Sequence, residues 1–225
     1  MVITGDSLFT GLVVVAMLFS LTPLLIIFIR KVYHHALLNL LRVVCVFAFF
    51  QHLVLNIPGL LPVETIPFIK AGFRVGEFIL LFYLFKRVML QKRVREFMNI
   101  FLVAFISVVL TVYSLKGIDT YAASISLLQS ALLVLLAMVT FMQLISNHEI
   151  VLFREPLFWI AAGILCYNSM YIFMELVTNN KIGISAIQLQ EKELVLCSVD
   201  IIQFLFFNIA ALVAAPKVQP REYPF

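Results

Sequence analysis

The stretch FIKAGFRVGEFILLFYLFKR (68–87) decides how the rest of the chain is read. Its second half is apolar enough for lipid, whereas its first half carries Lys70, Arg74 and Glu77. A bilayer core about 30 Å thick takes roughly 20 helical residues, so the stretch has the length of one crossing. Read as a span, it places Lys70 near one interface, where the ammonium can extend outward. Lys86 and Arg87 then form a basic stop at the other interface. At a rise of 1.5 Å per residue, Arg74 lies about 10 Å and Glu77 about 15 Å below the surface. Their spacing of three puts both on one helix face, where carboxylate and guanidinium can pair.

Composition sets the solvent. Of 225 residues, 63% are hydrophobic and 12% charged, against about 25% charged in an ordinary soluble domain. The mean hydropathy is +1.08. The apolar residues come in long blocks rather than in strand-like alternation, which predicts an all-α, polytopic membrane bundle and not a β-barrel. Seven blocks have the length of a span, near 7–29, 37–56, 67–85, 97–115, 121–144, 157–176 and 194–214, in a single domain covering 1–225. The opening MVITGDSLF has Asp6 but no Lys or Arg, so the first block is expected to be a retained anchor. Cys45, Cys166 and Cys197 lie in apolar blocks without metal, haem or disulfide spacing, and no cofactor is expected.

Lys and Arg placement gives a direction. One side collects Arg30, Lys31, Lys86, Arg87, Lys92, Arg93, Arg95, Arg154, Lys217 and Arg221; the other has Lys116, Lys181 and Lys192. The N-terminus is expected outside and the C-terminus inside. Lys86, Arg87, Lys92, Arg93 and Arg95 form the densest basic stretch, suited to anionic lipid headgroups or to an acidic cytoplasmic protein. Arg42 is expected to snorkel from the second span, and the tail APKVQPREYPF (215–225) to be extended.

The same depth arithmetic gathers further polar groups into the layer of Arg74 and Glu77. Asp200 and Gln203 fall about 9 and 14 Å deep in the last span, and Tyr167 and Asn168 about 10–14 Å deep in the sixth. His52 approaches from the second. A polar cluster is therefore expected around Arg74, Glu77 and Asp200, with His52, Tyr167, Asn168 and Gln203 as neighbours and Asp200 as a second partner for Arg74. Such a cluster either ties helices together or binds a polar or anionic ligand or a proton.

Known patterns exclude several classes. The last span has no lysine for a retinal Schiff base, and receptor triplets and the protease motifs of membrane enzymes are missing. The dipeptide His148-Glu149 stands alone. Transporters divided as three, one and three helices share the length and direction, but the Pro-Gln dipeptide of that group is missing here. A short likeness between RVGEFILLF (74–82) and SVDIIQFLF (198–206) leaves a repeat open.

Three segments carry a resemblance: GEFILLFYLFKR (76–87), PLFWIAAGILCYNSMYIF (156–173) and SVDIIQFLFFNIAAL (198–212). They are similar to the small, uncharacterised seven-helix membrane proteins of bacteria often encoded beside histidine kinases that lack membrane spans. The resemblance implies a bacterial inner-membrane protein acting as a sensor or interaction subunit for a cytoplasmic signalling protein, rather than an enzyme. Glu77, Trp159, Gly163, Tyr167 and Asn208 would be its typical residues, while Arg74 and Asp200 fall outside the pattern. A small-solute or proton-coupled transporter and a structural subunit of a membrane complex are the competing readings. The bilayer is an expected partner and nucleic acid is not.

Overall fold

The computed structural model describes residues 5–32, 35–56, 62–89, 92–146, 151–179 and 186–214. The tail at 215–225, the His148-Glu149 dipeptide and Lys181 lie outside the described residues. The described chain is helical: α1 (Gly5–Ile29), α2 (Ala36–Asn56), α3 (Ile66–Val88), α4 (Lys92–Lys116), α5 (Ile118–Ser146), α6 (Pro156–Asn179) and α7 (Ala186–Val213), with short 3-10 turns at Val63–Thr65 and Leu152–Arg154.

The helix boundaries follow local chemistry. Pro67 and Pro156 stand in the first turns of α3 and α6, where a missing N–H costs nothing. Between α4 and α5, Gly117 takes φ 83°, a left-handed conformation that glycine adopts without strain. Inside α1, Pro23 removes the N–H that would bond the Phe19 carbonyl. The hydroxyl of Thr22 donates to that carbonyl at 2.7 Å. Thr22 Oγ1 in turn accepts from Asn208 Nδ2 at 2.8 Å, so the repair of α1 also fastens α7.

Each of six helices packs on two neighbours in the order α1, α2, α3, α5, α6, α7 and back to α1, and α4 lies outside this ring against α3 and α5. Four phenylalanines hold α4 to α3: Phe78 and Phe105 have ring centroids 4.9 Å apart, and Phe82 and Phe101 6.0 Å. Elsewhere the approach is made by glycine. A Cβ on Gly76 would meet Phe47 Cζ at 2.5 Å, and one on Gly163 would meet Phe206 Cβ and the Gln203 carbonyl at 3.1 and 3.2 Å. These contacts let α2 approach α3 and α6 approach α7, the usual role of small residues between membrane helices.

The outer surface carries many large apolar side chains. Phe28, Val103, Leu110, Leu135, Met142 and Phe173 are all exposed, and a water-soluble monomer does not leave so much apolar surface bare. Among the described residues, six helices are long and apolar enough to cross a membrane: Phe9–Ile29, Ala36–Asn56, Lys92–Leu115, Tyr121–Ser146, Pro156–Thr178 and Glu191–Val213. Together they make this an integral membrane protein. α3 has 23 residues, about 34 Å at the helical rise, but its charges keep it out of that set.

The packing gives a direct stability test. Gly163→Leu should cost about 1–3 kcal/mol by overpacking α6 against α7, whereas Gly72→Ala, with open space around it, should stay within about 0.5 kcal/mol. Unfolding midpoints in detergent measure both, and equal shifts would contradict the close α6–α7 contact.

Candidate ligand-binding cavity

Inside the ring lies a cavity of about 570 Å³, bounded by residues of α1, α2, α3, α5, α6 and α7 and by none of α4. It sits at the end where α1, α3, α5 and α7 begin and α2 and α6 finish. Toward the other end the ring closes on tightly buried apolar side chains, among them Leu41, Leu81, Leu84, Phe85, Ile164 and Phe207.

α7 organises the charge. Three charged residues on it, Lys192, Glu193 and, two turns on, Asp200, face three different helices. Glu193 accepts from Lys70 Nζ of α3 at 2.9 Å, in an exposed pair at the rim. Lys192 Nζ donates to Glu175 Oε1 of α6 at 2.8 Å, and here the side chains are only 12% and 7% exposed. Deeper, Asp200 Oδ2 meets His52 Nε2 of α2 at 2.7 Å. The spacing of 193 to 200 is two helical turns, which keeps the acids on one stripe of α7.

Arg74 is held differently. Its Nη1 donates to Glu77 Oε2 at 3.1 Å, one turn along α3. Its guanidinium lies over the Tyr171 ring, 4.0 Å from the centroid, with Tyr167 at 5.5 Å. A guanidinium over an aromatic face is favoured by the ring quadrupole, more so when desolvated. The second terminal nitrogen, Nη2, is buried and has no hydrogen-bond partner among the described residues.

Of the residues expected at the site, Arg74, His52, Tyr167 and Asp200 line the cavity. Glu77 stands behind Arg74 as its ion-pair partner. Asp200 pairs with His52 rather than with Arg74, so its expected role as a second partner for the guanidinium is corrected: α2 reaches it first. Asn168 turns back to bond the Ile164 carbonyl at 2.9 Å, and it and Gln203 are buried outside the cavity lining. Lys70 finds Glu193 instead of water alone, and Arg42 donates to Asn39 Oδ1 at 3.1 Å. The basic stretch lies at the other end of α3, Lys86 about 18 Å from Arg74 along the axis. There Lys86 sits over Tyr83 and Lys92 reaches Glu96 at 3.8 Å.

Glu175, Lys192, Glu193 and Tyr171 were missed by depth arithmetic. A signal existed for part of this set, since Tyr167, Tyr171 and Glu175 recur every four residues and so share one face of α6. The arrangement sets opposite charges side by side around a space. Its groups are paired donors and acceptors around a space, and among the described residues no three metal-ligating side chains converge. No protein family model matches the sequence, and no curated protein or solved structure matches it either.

The buried pair should behave unlike the rim pair. Glu175→Gln strands Lys192 in a buried position and should cost about 3–5 kcal/mol, with much of the loss recovered when Lys192→Met is added. Lys70→Met, at an exposed pair, should cost no more than about 1 kcal/mol. Chemical unfolding in detergent reads all three, and a small effect of Glu175→Gln would contradict its burial against Lys192.

Proposed function

We propose that this chain is a seven-helix protein of a bacterial inner membrane that binds a small polar ligand from the outer side and passes its occupancy to a cytoplasmic signalling protein. The observation that carries the reading is the polarised interior: a charged, open cavity at one end of the ring and a sealed apolar core at the other. In this reading α3 is the seventh span. Its charges are tolerable because Arg74, Glu77 and Lys70 are paired inside the ring or at its rim, where intramembrane charges belong. The basic residues of the α3–α4 end then face the cytoplasm, in keeping with the positive-inside rule.

Signal transfer follows from the role of α7. A ligand entering the cavity competes for groups that now bind α7 to α2, α3 and α6. It shifts the packing only insofar as it prefers one arrangement of these pairs over another. α3 connects the cavity to Lys86, Arg87, Lys92, Arg93 and Arg95, where an acidic surface of a partner can dock. The resemblance to bacterial seven-helix proteins encoded near soluble histidine kinases supports that choice of partner.

Transport is the second reading, favoured by one observation. The ring order makes α1–α2–α3 and α5–α6–α7 equivalent halves with α4 as the odd helix, as in transporters built from parallel repeats. A transporter must open its site alternately to both sides, and a sensor need not.

Labelling separates the two. Ser126 lines the cavity, and Ser126→Cys, with Cys45, Cys166 and Cys197 replaced by alanine, provides one thiol there. A membrane-impermeant thiosulfonate should modify it from the outer face of oriented vesicles and not from the inner face. Modification from both faces would favour transport, and modification from the inner face alone would overturn the proposed orientation.

A further inference from the structure

The lining of the cavity narrows the chemistry of its ligand, on the reading that it is a ligand site. Lys70, Arg74 and Lys192 stand against Glu175, Glu193 and Asp200, and Glu77 behind Arg74 is matched when His52 beside Asp200 is protonated, so formal cations and carboxylates are equal in number. A simple anion or cation would bring an uncompensated charge into this balanced, partly desolvated space, and such a charge is costly. A molecule carrying both signs leaves the sum unchanged.

The free valences are also of both kinds. Arg74 is fixed by Glu77 on Nη1 and by Tyr171 beneath its plane, and its buried Nη2 has no partner among the described residues. A carboxylate is the natural acceptor for that nitrogen, since charge-assisted bonds to guanidinium are stronger than neutral ones. Asp200 engages His52 through Oδ2 and Glu175 engages Lys192 through Oε1. The second oxygen of either acid can accept from an ammonium, because a carboxylate has lone pairs on both oxygens.

Part of the remaining wall is apolar. Phe9 and Val13 of α1 and Ala122 and Ala123 of α5 line the cavity with no charge, and in the ring order α1 and α5 lie opposite one another. We propose that the cavity takes a small zwitterion with an apolar body, a free apolar α-amino acid or its dipeptide. The carboxylate accepts from Arg74 Nη2, the ammonium lies against Asp200 or Glu175, and the side chain rests on the α1 and α5 walls. The volume of about 570 Å³ is within the usual range for small-molecule sites.

Calorimetric titration of the full chain in detergent tests this with leucine, valine, phenylalanine and leucyl-leucine, beside isocaproate and isoamylamine, which are leucine without its amine and without its carboxylate. At least one zwitterion should bind saturably, and the two single-charge analogues should bind weaker by about tenfold or more. Comparing leucine with leucyl-leucine assigns the ligand to amino acid or dipeptide. Arg74→Gln should weaken the zwitterion by about tenfold or more. Because that change also strips Glu77 of its partner, Ala122→Leu serves as a second variant that leaves every charge in place. It should shift the preference from phenylalanine toward valine.

Isocaproate or isoamylamine binding as tightly as leucine would overturn the zwitterion assignment while leaving a ligand cavity standing. Failure of every zwitterion to bind would also overturn it, and outward labelling at position 126 would then show that the broader reading survives.

Discussion

A charge taken out of water must meet an opposite charge or a route back to water, and α7 is where this bundle meets that demand. Its Lys192, Glu193 and Asp200 reach α6, α3 and α2 in turn. None of these contacts is local in sequence, so each also fixes how two helices sit. The rim pair is solvated and contributes little. Lys192–Glu175 is largely desolvated and His52–Asp200 part-buried, and removing one member leaves the other uncompensated, which makes them constraints on the position of α7 rather than large net gains.

The two ends of the ring obey different rules. Below the polar layer, packing is made by Gly163, which lets α6 approach α7, by phenylalanine stacks that attach α4, and by small and branched apolar side chains. A polar device in that lower part joins α1 to α7: Thr22 satisfies the carbonyl freed by Pro23 and receives Asn208. A proline inside a membrane helix is tolerated when a nearby hydroxyl replaces the lost bond. The contrast matters for function, because a ligand can rearrange ion pairs at the polar end while the apolar end holds the bundle together.

Much of this was legible in the sequence. Apolar blocks gave the helices, and depth counting placed Arg74, Glu77, Asp200, His52 and Tyr167 in one layer, since helical rise is fixed. Adjacency was not legible. Depth cannot tell which neighbour a side chain faces, so Asp200 was matched to Arg74 when His52, 148 residues away in sequence, is its partner. Lys192 and Glu193 are not legible as part of the polar layer because α7 begins at Ala186, ahead of the apolar block near 194. A helix continues through polar residues that hydropathy reads as loop. Glu175 was missed for a related reason: in the last turn of its span it looks interfacial, and only Lys192 and the fold of α6 against α7 make it buried.

The convergence of distant helices on one polar layer is tested most directly by a double-mutant cycle on His52 and Asp200, with His52→Gln, Asp200→Asn and both together unfolded in detergent. Interhelical polar contacts in membrane proteins average about 0.6 kcal/mol of coupling and reach about 1.7. The part-buried His52–Asp200 contact should lie in the upper part of that range. Additive effects with coupling near zero would contradict the meeting of α2 and α7 on which the cavity depends.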